Sequence, residues 1–302
     1  MRKFLLSIFV ALSLSCESKI QVVEDDALNE DKNFSVFGNS ISTYEGYIPS
    51  DYLTWFTPSK MKVEETWWYQ VGESMGWELC NNSSWSGSRV AYDKDWDYNS
   101  YFISPYRLNN LSAKGTPDNI LVLAGVNDWR WNISSLGTIE SLDSTAFCGA
   151  YNLMLKRLKQ LYPQANIYCI SILPIREKGN TEETINSQGW SIAEANVCIK
   201  HICTNEGVTF FNMQECEYSN NVLAYTEDGL HPNVEGMRVI ADYIVTALKE
   251  IRTTSALSNN TRRVNGNSNG IIYGIDGIRM KSHAKGVVIQ KNKNWKKLII
   301  KR

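Results

Sequence analysis

Short apolar runs alternate with longer stretches of helical periodicity through most of the chain. Five runs rich in Val, Ile and Phe, bounded by Gly, Asn or Pro, predict β-strands: FSVFGNS, WELCNNS, NILVLAG, NIYCISIL and VTFFN. Apolar residues at three-and-four spacing predict helices in four segments, 63–75, 142–162, 188–206 and 234–251. Continuously apolar strands that alternate with helices indicate a mainly parallel sheet covered by helices on both faces.

The composition changes after residue 252. Residues 253–270 are rich in Ser, Thr, Asn and Gly, which predicts a flexible linker behind a main domain at 33–252. Three apolar bursts in 271–302, GIIYGIDGIRM, KGVVIQ and WKKLIIKR, predict a small three-stranded β module with its last hairpin at KNKN. This module resembles the sorting or anchoring domains of exported Bacteroidetes proteins, although its basic residues also fit a solvated face or a contact to anionic envelope polymers.

The first sixteen residues have the pattern of an export signal. Arg2 and Lys3 precede an apolar run that is too short to span a bilayer and ends in small residues. The run closes on LSLSC, which resembles a bacterial lipobox and makes Cys16 the candidate lipidation site. Plain secretion is the alternative, because Ser13 replaces the usual aliphatic residue. We therefore expect a signal at 1–16, a spacer at 17–32 and a protein in the periplasm, at the outer membrane or on the cell surface.

Composition and charge narrow the set of partners. The 302 residues are 43% hydrophobic and 21% charged with a net charge of -1, so nothing in the overall charge attracts nucleic acid or an anionic membrane. A lipid on Cys16 is then the one membrane contact that we expect. An oxidising compartment permits disulfides among the other six cysteines, although Cys169 and Cys198 lie in apolar patterns that also fit buried free thiols.

The sequence predicts neither a metal site nor another cofactor. Its three histidines, His201, His231 and His283, lie far apart, and no Cys-x-x-Cys or His-Glu-x-x-His spacing is present. No Gly-rich phosphate loop follows the first strand. His201 lies in a helical pattern and His283 in the basic C-terminal segment, which leaves His231 as the candidate site histidine.

Polar residues follow the ends of the predicted strands. GNS ends the first strand, SWSGS follows the second, GVND ends the third, and DGLHP follows the fifth and opens the last helix. In a parallel sheet these ends share one edge, where ligands bind. Together the four loops supply a hydroxyl, an imidazole, a carboxylate, an amide side chain and glycine backbone, which is the set of groups that acyl transfer requires.

Four motifs in this order, GNSIS, WSGS, GVND and DGLHP, resemble the SGNH hydrolases, also called GDSL-type esterases and lipases. The resemblance covers about residues 34–251, and STYEGY, TWW and NNSSWSGSRV are similar to exported members from gut Bacteroidetes. It implies a flavodoxin-like three-layer α/β/α sandwich with a mainly parallel five-stranded sheet. It also implies a serine esterase that hydrolyses oxygen or sulfur esters.

Carried over to this sequence, the resemblance assigns a role to five residues. Ser40 is the nucleophile and His231 the base, and Asp228 orients the base. The oxyanion donors are the backbone N–H groups of Ser40 and Gly87 and the side chain of Asn127. A gap of three residues lets one short loop present the carboxylate to Nδ1 while Nε2 faces the serine.

Simpler structural interpretations stay open for several of these residues. Asp128 and Asp228 could each cap a turn or helix, and we favour that interpretation for Asp128. Ser40 could cap a turn, and Gly87 could serve only a turn with positive φ. Asn39 departs from the family pattern, which usually has aspartate there; asparagine can keep the local hydrogen bonds without the charge.

Aromatic residues carry the one indication of substrate. Trp85, Trp129 and Trp131 flank the glycine and asparagine motifs, where indole faces can stack on sugar rings or pack the loops together. Arg89 and Arg130 could meet an acidic sugar or pair with DKDWD. The inserts at 44–68 and 91–106 are polar and aromatic, unlike an aliphatic lipase lid. An acylated, chiefly acetylated, glycan is therefore the expected substrate; a lipase, an acyl-thioesterase and a non-catalytic glycan-binding protein are the alternatives.

Overall fold

The computed structural model describes residues 32–264, 271–274, 279–280, 286–292 and 295–301, with side chains described as far as residue 254. The predicted export signal at 1–16, Cys16, nearly all of the spacer at 17–32 and His283 lie outside the described residues. In the part of the chain that is described, no helix combines the length and apolarity needed to span a membrane.

Five parallel strands form the central sheet in the order β2-β1-β3-β4-β5. Each corresponds to a predicted apolar run: β1 (Asn33–Gly38), β2 (Glu78–Asn82), β3 (Asn119–Leu123), β4 (Asn166–Ile170) and β5 (Thr209–Phe211). This is the flavodoxin-like strand order. The chain places β2 on one side of β1 and the later strands on the other, so the order of strands reverses between β1 and β3. The predicted all-parallel sheet is confirmed, and its switch point is the expected place for a site.

Helices cover the sheet on both faces. Those of the described residues are α1 (Trp67–Met75), α2 (Pro105–Asn110), α3 (Val126–Arg130), α4 (Phe147–Leu161), α5 (Ile192–Glu206) and α6 (Val234–Val264). Side chains of β3 alternate between the layers: Ile120 and Val122 pack on the side of α4 and α5, whereas Leu121 and Leu123 pack on the side of α1 and α6. The three-layer sandwich is therefore confirmed.

Local capping decides where the predicted helices begin. Ser191 and Glu194 form a capping box, so α5 starts at Ile192 and not at residue 188. Asp143 accepts hydrogen bonds from the backbone and hydroxyl of Thr145, which holds a turn ahead of α4. The short helices α2 and α3 were not predicted, although Ser104 followed by Pro105 is a start signal for α2.

The predicted linker is wrong for most of its length. The last helix, α6, runs from Val234 to Val264, so residues 253–264 are helical. Ser, Thr and Asn are weak helix formers but not breakers, and the hydroxyls of Thr253 and Thr254 donate to carbonyls of the preceding turn. The first glycine of the segment is Gly266, which lies outside the described residues.

The C-terminal module has four antiparallel strands and not the predicted three. The strands are Ile271–Gly274, Arg279–Met280, Gly286–Asn292 and Trp295–Lys301. In the sheet the second strand lies at one edge, followed by the first, the third and the fourth. The burst GIIYGIDGIRM divides into two strands around its Asp-Gly pair, a hairpin signal that the prediction overlooked. The hairpin at KNKN pairs Asn292 with Trp295.

A disulfide joins Cys148 on α4 to Cys198 on α5. The alternative of a buried free thiol is therefore wrong for Cys198. It holds for Cys169, which is buried and unbonded, as are Cys80, Cys203 and Cys216 among the described cysteines.

Arg107 on α2 is fully buried and forms no ion pair with any residue that the structure describes. Its guanidinium donates hydrogen bonds of 2.6–3.1 Å to three backbone carbonyls, those of Gly38, Ser83 and Ser100. It also lies 4.7 and 4.3 Å from two ring centroids, those of Phe37 and Phe102. Burial lowers its pKa to about 9, so the group stays charged at neutral pH and ties the ends of β1 and β2 together.

We predict that Arg107→Lys lowers the free energy of unfolding by about 3 kcal/mol, because an ammonium cannot reach all three carbonyls and leaves buried acceptors unpaired. Denaturant unfolding measures this. Arg238→Lys is the matched control, since Arg238 is exposed on α6 and pairs with Glu235 and Asp242 there; its effect should stay within about 0.5 kcal/mol. Equal stabilities of the two variants would contradict the role given to Arg107.

Candidate active site

Ser40 lies where the chain turns sharply out of β1 into a single 3₁₀ turn, Ser40–Ser42. Asn39 caps this turn, its Oδ1 accepting the backbone N–H two residues on at 3.0 Å. Gly38 has no room for a side chain, since a β-carbon would collide with the Ser42 side chain and lie 2.8 Å from Ser84 Oγ. Asn39 thus keeps the capping bond without a charge, and its buried Nδ2 has no partner among the described residues.

The DGLHP loop presents Asp228 and His231 as one unit. Asp228 Oδ1 accepts the backbone N–H groups of Leu230 and His231 at 3.0 and 2.7 Å, and Oδ2 lies 2.8 Å from His231 Nδ1. Gly229 between them has a φ of 82°, and a β-carbon there would meet the backbone of Arg176 at 2.6 Å. The turn-capping role and the orienting role considered for Asp228 therefore coexist in one carboxylate.

The other ring nitrogen of His231 faces the serine. His231 Nε2 lies 3.0 Å from Ser40 Oγ, across a sequence separation of 191 residues. Only 5% of Ser40 and 3% of His231 are exposed, whereas 39% of the Asp228 side chain is. The structure thus brings the three predicted residues into one hydrogen-bonded line with its reactive end largely shielded from water.

Burial lowers the pKa of His231, and the positive charges of Arg130 and Lys60 act in the same direction. The hydrogen bond and charge of Asp228 oppose this shift without cancelling it. Burial raises the pKa of Asp228, but the hydrogen bonds from His231 outweigh it and the pKa lies below its ordinary value. At neutral pH the imidazole is therefore free to accept a proton and the carboxylate is ionised.

Trp55 is a site residue that the sequence did not reveal. Its ring stacks on the imidazole of His231, with centroids 3.7 Å apart and planes 12° from parallel. The ammonium of Lys60 lies 3.7 Å from the centre of the same indole. The backbone N–H of Trp55 donates to Thr43 Oγ1, which in turn donates to the Ser40 carbonyl. The insert after the serine therefore fixes the plane of the histidine ring.

Three N–H donors suited to an oxyanion have free capacity in the loops that follow β1, β2 and β3. Gly87 has a φ of 78°, and no acceptor for its backbone N–H, or for that of Ser40, occurs in the described part of the chain. Asn127 uses one amide hydrogen on the Ser88 carbonyl at 2.9 Å, which leaves the second uncommitted. Such a set of preorganised donors stabilises a developing negative charge on oxygen.

Asp128 is not the helix cap that the sequence favoured, because Gly125 is the N-cap residue of α3. Its carboxylate is fully buried and accepts the backbone N–H groups of Val90 and Ala91 at 2.8–3.1 Å. Burial raises its pKa to about 7 against the effect of those hydrogen bonds. Asp128 therefore holds the chain that leaves Gly87 against the helix that carries Asn127.

Two of the predicted substrate contacts are engaged in packing. Trp85 is 6% exposed and stacks on Tyr52, with centroids 4.2 Å apart. Arg89 is buried, pairs with Asp93 and lies 4.9 Å from the ring centre of Trp96. Their role toward a substrate stays a prediction.

The other two predicted contacts lie at the end of α3. Trp129 is 5% exposed and donates its indole N–H to the Thr184 carbonyl at 3.0 Å. Trp131 is 53% exposed and lines a cavity of about 400 Å³ together with Arg130. Arg130 forms a bidentate ion pair with Glu177, so of its two open interpretations the pairing with DKDWD is not the one found.

No group of three or more His, Cys, Asp or Glu side chains in the described residues is arranged to hold a metal ion. His201 lies exposed on α5 and has no contact to the serine, imidazole and carboxylate line.

Comparison with known proteins places this arrangement in a family. The family model for GDSL-like lipase/acylhydrolase matches residues 32–248. The sequence matches no curated protein. A solved candidate GDSL-like lipase from Bacteroides uniformis is 28% identical with a TM-score of 0.56, covering 74% of this chain and 98% of its own. One from Bacteroides ovatus is 25% identical with a TM-score of 0.55, covering 72% and 98%.

A third solved structure shows likeness of fold alone. Est24, a carbohydrate acetylesterase from Sinorhizobium meliloti, is 15% identical with a TM-score of 0.54, covering 73% of this chain and 99% of its own. The resemblance drawn from four short motifs is thus confirmed over the whole sheet and its helices. Since the family model spans well over half of the sequence, the chain belongs to the GDSL-like lipase/acylhydrolase family and is an ester hydrolase.

Proposed function

We propose that the protein is an exported serine esterase that removes acyl groups, chiefly acetyl, from carbohydrates. Ser40 is the nucleophile, His231 the base and Asp228 the group that orients the base. The observation that supports this most directly is the continuous line from Asp228 Oδ2 to His231 at 2.8 Å and from His231 to Ser40 Oγ at 3.0 Å. A serine hydroxyl is a weak nucleophile unless such a base takes its proton.

The reaction follows from this geometry. Ser40 Oγ attacks the ester carbonyl carbon while His231 Nε2 takes the hydroxyl proton, and the Asp228 carboxylate stabilises the imidazolium. The N–H groups of Ser40, Gly87 and Asn127 bind the oxyanion. Collapse breaks the bond to the sugar oxygen, which receives the proton from His231. Water then attacks the acyl-serine by the same route, releasing the carboxylic acid and restoring the hydroxyl.

The surroundings of the site favour a sugar ester over a lipid. In the insert at 44–68, Leu53 is the one large aliphatic side chain that is exposed. In the insert at 91–106, the exposed large hydrophobic side chains are all aromatic: Trp96, Tyr98 and Tyr106. A lipase needs a contiguous apolar face to meet its substrate. Exposed aromatic rings among polar groups suit the alternating C–H and hydroxyl surfaces of a sugar. No observation favours the lipase or thioesterase alternatives.

Export is the second part of the proposal. It rests on Arg2, Lys3 and the short apolar run that follows, with Cys16 as the lipid-anchor site. The disulfide between Cys148 and Cys198 supports it, because such bonds persist in oxidising compartments. The periplasm, the outer membrane or the cell surface is the corresponding location.

We predict that Ser40→Ala lowers kcat for p-nitrophenyl acetate by about 10⁴-fold or more, because the acyl-serine can no longer form. Release of p-nitrophenolate by the purified protein measures this. Ser86→Ala is the matched control, since its hydroxyl makes no hydrogen bond to His231 or Asp228; its rate should equal that of the unaltered protein. A Ser40→Ala rate equal to that of the control would remove the proposed nucleophile.

The ammonium of Lys60, which lies over the Trp55 ring, leads to a prediction about the pH dependence of kcat/KM. The acidic limb of kcat/KM should lie below pH 6.5, the ordinary pKa of histidine, because the pKa of His231 is lowered. Lys60→Met removes a positive charge that disfavours the imidazolium, so the limb should move to higher pH. Lys62→Met removes an equal charge from the same segment without contact to Trp55 and should leave the limb in place. A shift to lower pH in Lys60→Met would contradict the electrostatic argument.

A further inference from the structure

The cavity beside Trp131 adjoins the hydrogen-bonded line on the side of the base. One wall is the end of α3, which also carries Asn127. The other wall is the segment 177–187. That segment begins against the DGLHP loop: the backbone N–H of Arg176 donates to the Gly229 carbonyl at 2.8 Å, and a β-carbon on Gly229 would lie 2.9 Å from the Glu177 nitrogen. One wall of this cavity, whose volume is about 400 Å³, therefore rests against the loop that carries Asp228 and His231.

Arg130 links the cavity to the base electrostatically. Arg130 lines the cavity, and its positive charge lowers the pKa of His231. The negative charge of Asp228 in turn raises the pKa of Arg130. Charge effects of this kind are largely screened beyond about 10 Å at physiological ionic strength. The cavity and the base thus share one electrostatic environment.

Position decides which half of an ester this cavity receives. The leaving oxygen must lie close to His231 Nε2, because that nitrogen returns the proton to it. The group attached to the leaving oxygen therefore extends on the side of the base, where the cavity opens. For the esterase proposed above, that group is the sugar, and the small acyl group stays with Ser40.

The lining has the chemistry of a sugar subsite. Trp131 presents an indole that is 53% exposed, and Arg130 covers part of the ring at 5.2 Å from its centre. Asn180 lines the same space with an amide that makes no side-chain hydrogen bond to any described residue. A flat apolar face beside free polar groups matches a pyranose ring.

The charge left in this lining is positive. Glu177 is its one carboxylate, and both of its oxygens are taken by Arg130 at 2.8 and 2.6 Å. Lys178 also lines the cavity, and its ammonium forms no ion pair within the described residues. A free ammonium beside a neutralised pair complements an acidic substituent on the ring.

The backbone of this rim is held in an unusual conformation. Among the described residues, the two that are not glycine and have a positive φ are Asn132 at 54° and Lys178 at 52°, and both line this cavity. Asn132 is fixed by hydrogen bonds from Ser187 N and Gln188 Nε2 at 2.8 and 2.9 Å. Strained positions that the surroundings hold in place concentrate at ligand sites.

We propose that this cavity is the subsite for the leaving sugar, that Trp131 is its stacking platform, and that Lys178 selects a pyranose ring with an acidic group. The proposal rests on the esterase function proposed above. It adds the side of the site on which the sugar lies and the class of sugar.

The test compares three substrates of the full-length protein: p-nitrophenyl acetate, an O-acetylated methyl galactoside and the matching O-acetylated methyl galacturonide. The two sugars differ only in the acidic group. We expect Trp131→Ala to lower kcat/KM for both sugars by about 10-fold while p-nitrophenyl acetate changes less than about twofold. Trp131→Phe should recover part of the loss. Lys178→Gln should lower kcat/KM about fivefold for the galacturonide alone.

Tyr47→Ala is the matched control, because Tyr47 is an aromatic residue with a similar exposure of 39% that packs on Trp68 and does not line this cavity. The subsite is overturned if Tyr47→Ala loses sugar turnover while Trp131→Ala keeps it, or if Trp131→Ala and Trp131→Phe both act as the unaltered protein does. Equal kcat/KM for the two sugars overturns the acidic class. Failure to hydrolyse p-nitrophenyl acetate would instead count against the esterase function, so the two proposals fail separately.

Discussion

The hydrogen bond between His231 Nε2 and Ser40 Oγ is the contact on which the candidate site depends, because it joins parts of the chain 191 residues apart. It exists only if the end of β1 and the start of α6 reach the same edge of the sheet. A parallel sheet satisfies this condition, since every strand ends on that edge. The serine emerges at the switch point between β1 and β3, where the loops diverge and leave space for a substrate.

Two buried ionisable side chains hold the loops around this contact. Arg107 fixes the backbone at the ends of β1 and β2 by donating to carbonyls, and Asp128 fixes the chain after Gly87 by accepting backbone N–H groups. Neither forms an ion pair with a residue that the structure describes, and each is stabilised mainly by hydrogen bonds to backbone groups. Loops without regular structure thereby gain the rigidity that an oxyanion site requires.

The sequence predicted those parts of the fold and site that depend on local spacing. All five strands of the central sheet follow from apolar runs, and the gap of three between Asp228 and His231 brings the carboxylate to Nδ1 within a single turn. Contacts between distant segments were not predictable. Nothing in the local pattern around Trp55 indicates a stack on an imidazole 176 positions away, and nothing in the sequence around Arg107 indicates a fully buried guanidinium.

Errors in the prediction arose where composition was used in place of capping. Residues 253–264 contain many Ser, Thr and Asn residues, but no glycine or proline stops a helix already under way. Asp128 has the residue type and position of a cap, but its carboxylate points to another loop. In both cases the partner of the polar group, and not its presence, decided the structure.

Positive charge near His231 links the base to the proposed substrate. Lys60 and Arg130 both lower the pKa of the imidazole, which keeps it unprotonated but also opposes the imidazolium that forms as the serine attacks. The Asp228 carboxylate offsets part of that opposition in the free protein. An acidic sugar bound beside Arg130 and Lys178 would add a second negative charge on the same side, and would therefore favour the imidazolium only while substrate is bound. His231 would then stay unprotonated in the free enzyme, while the imidazolium that forms in the transition state would be stabilised by the bound substrate.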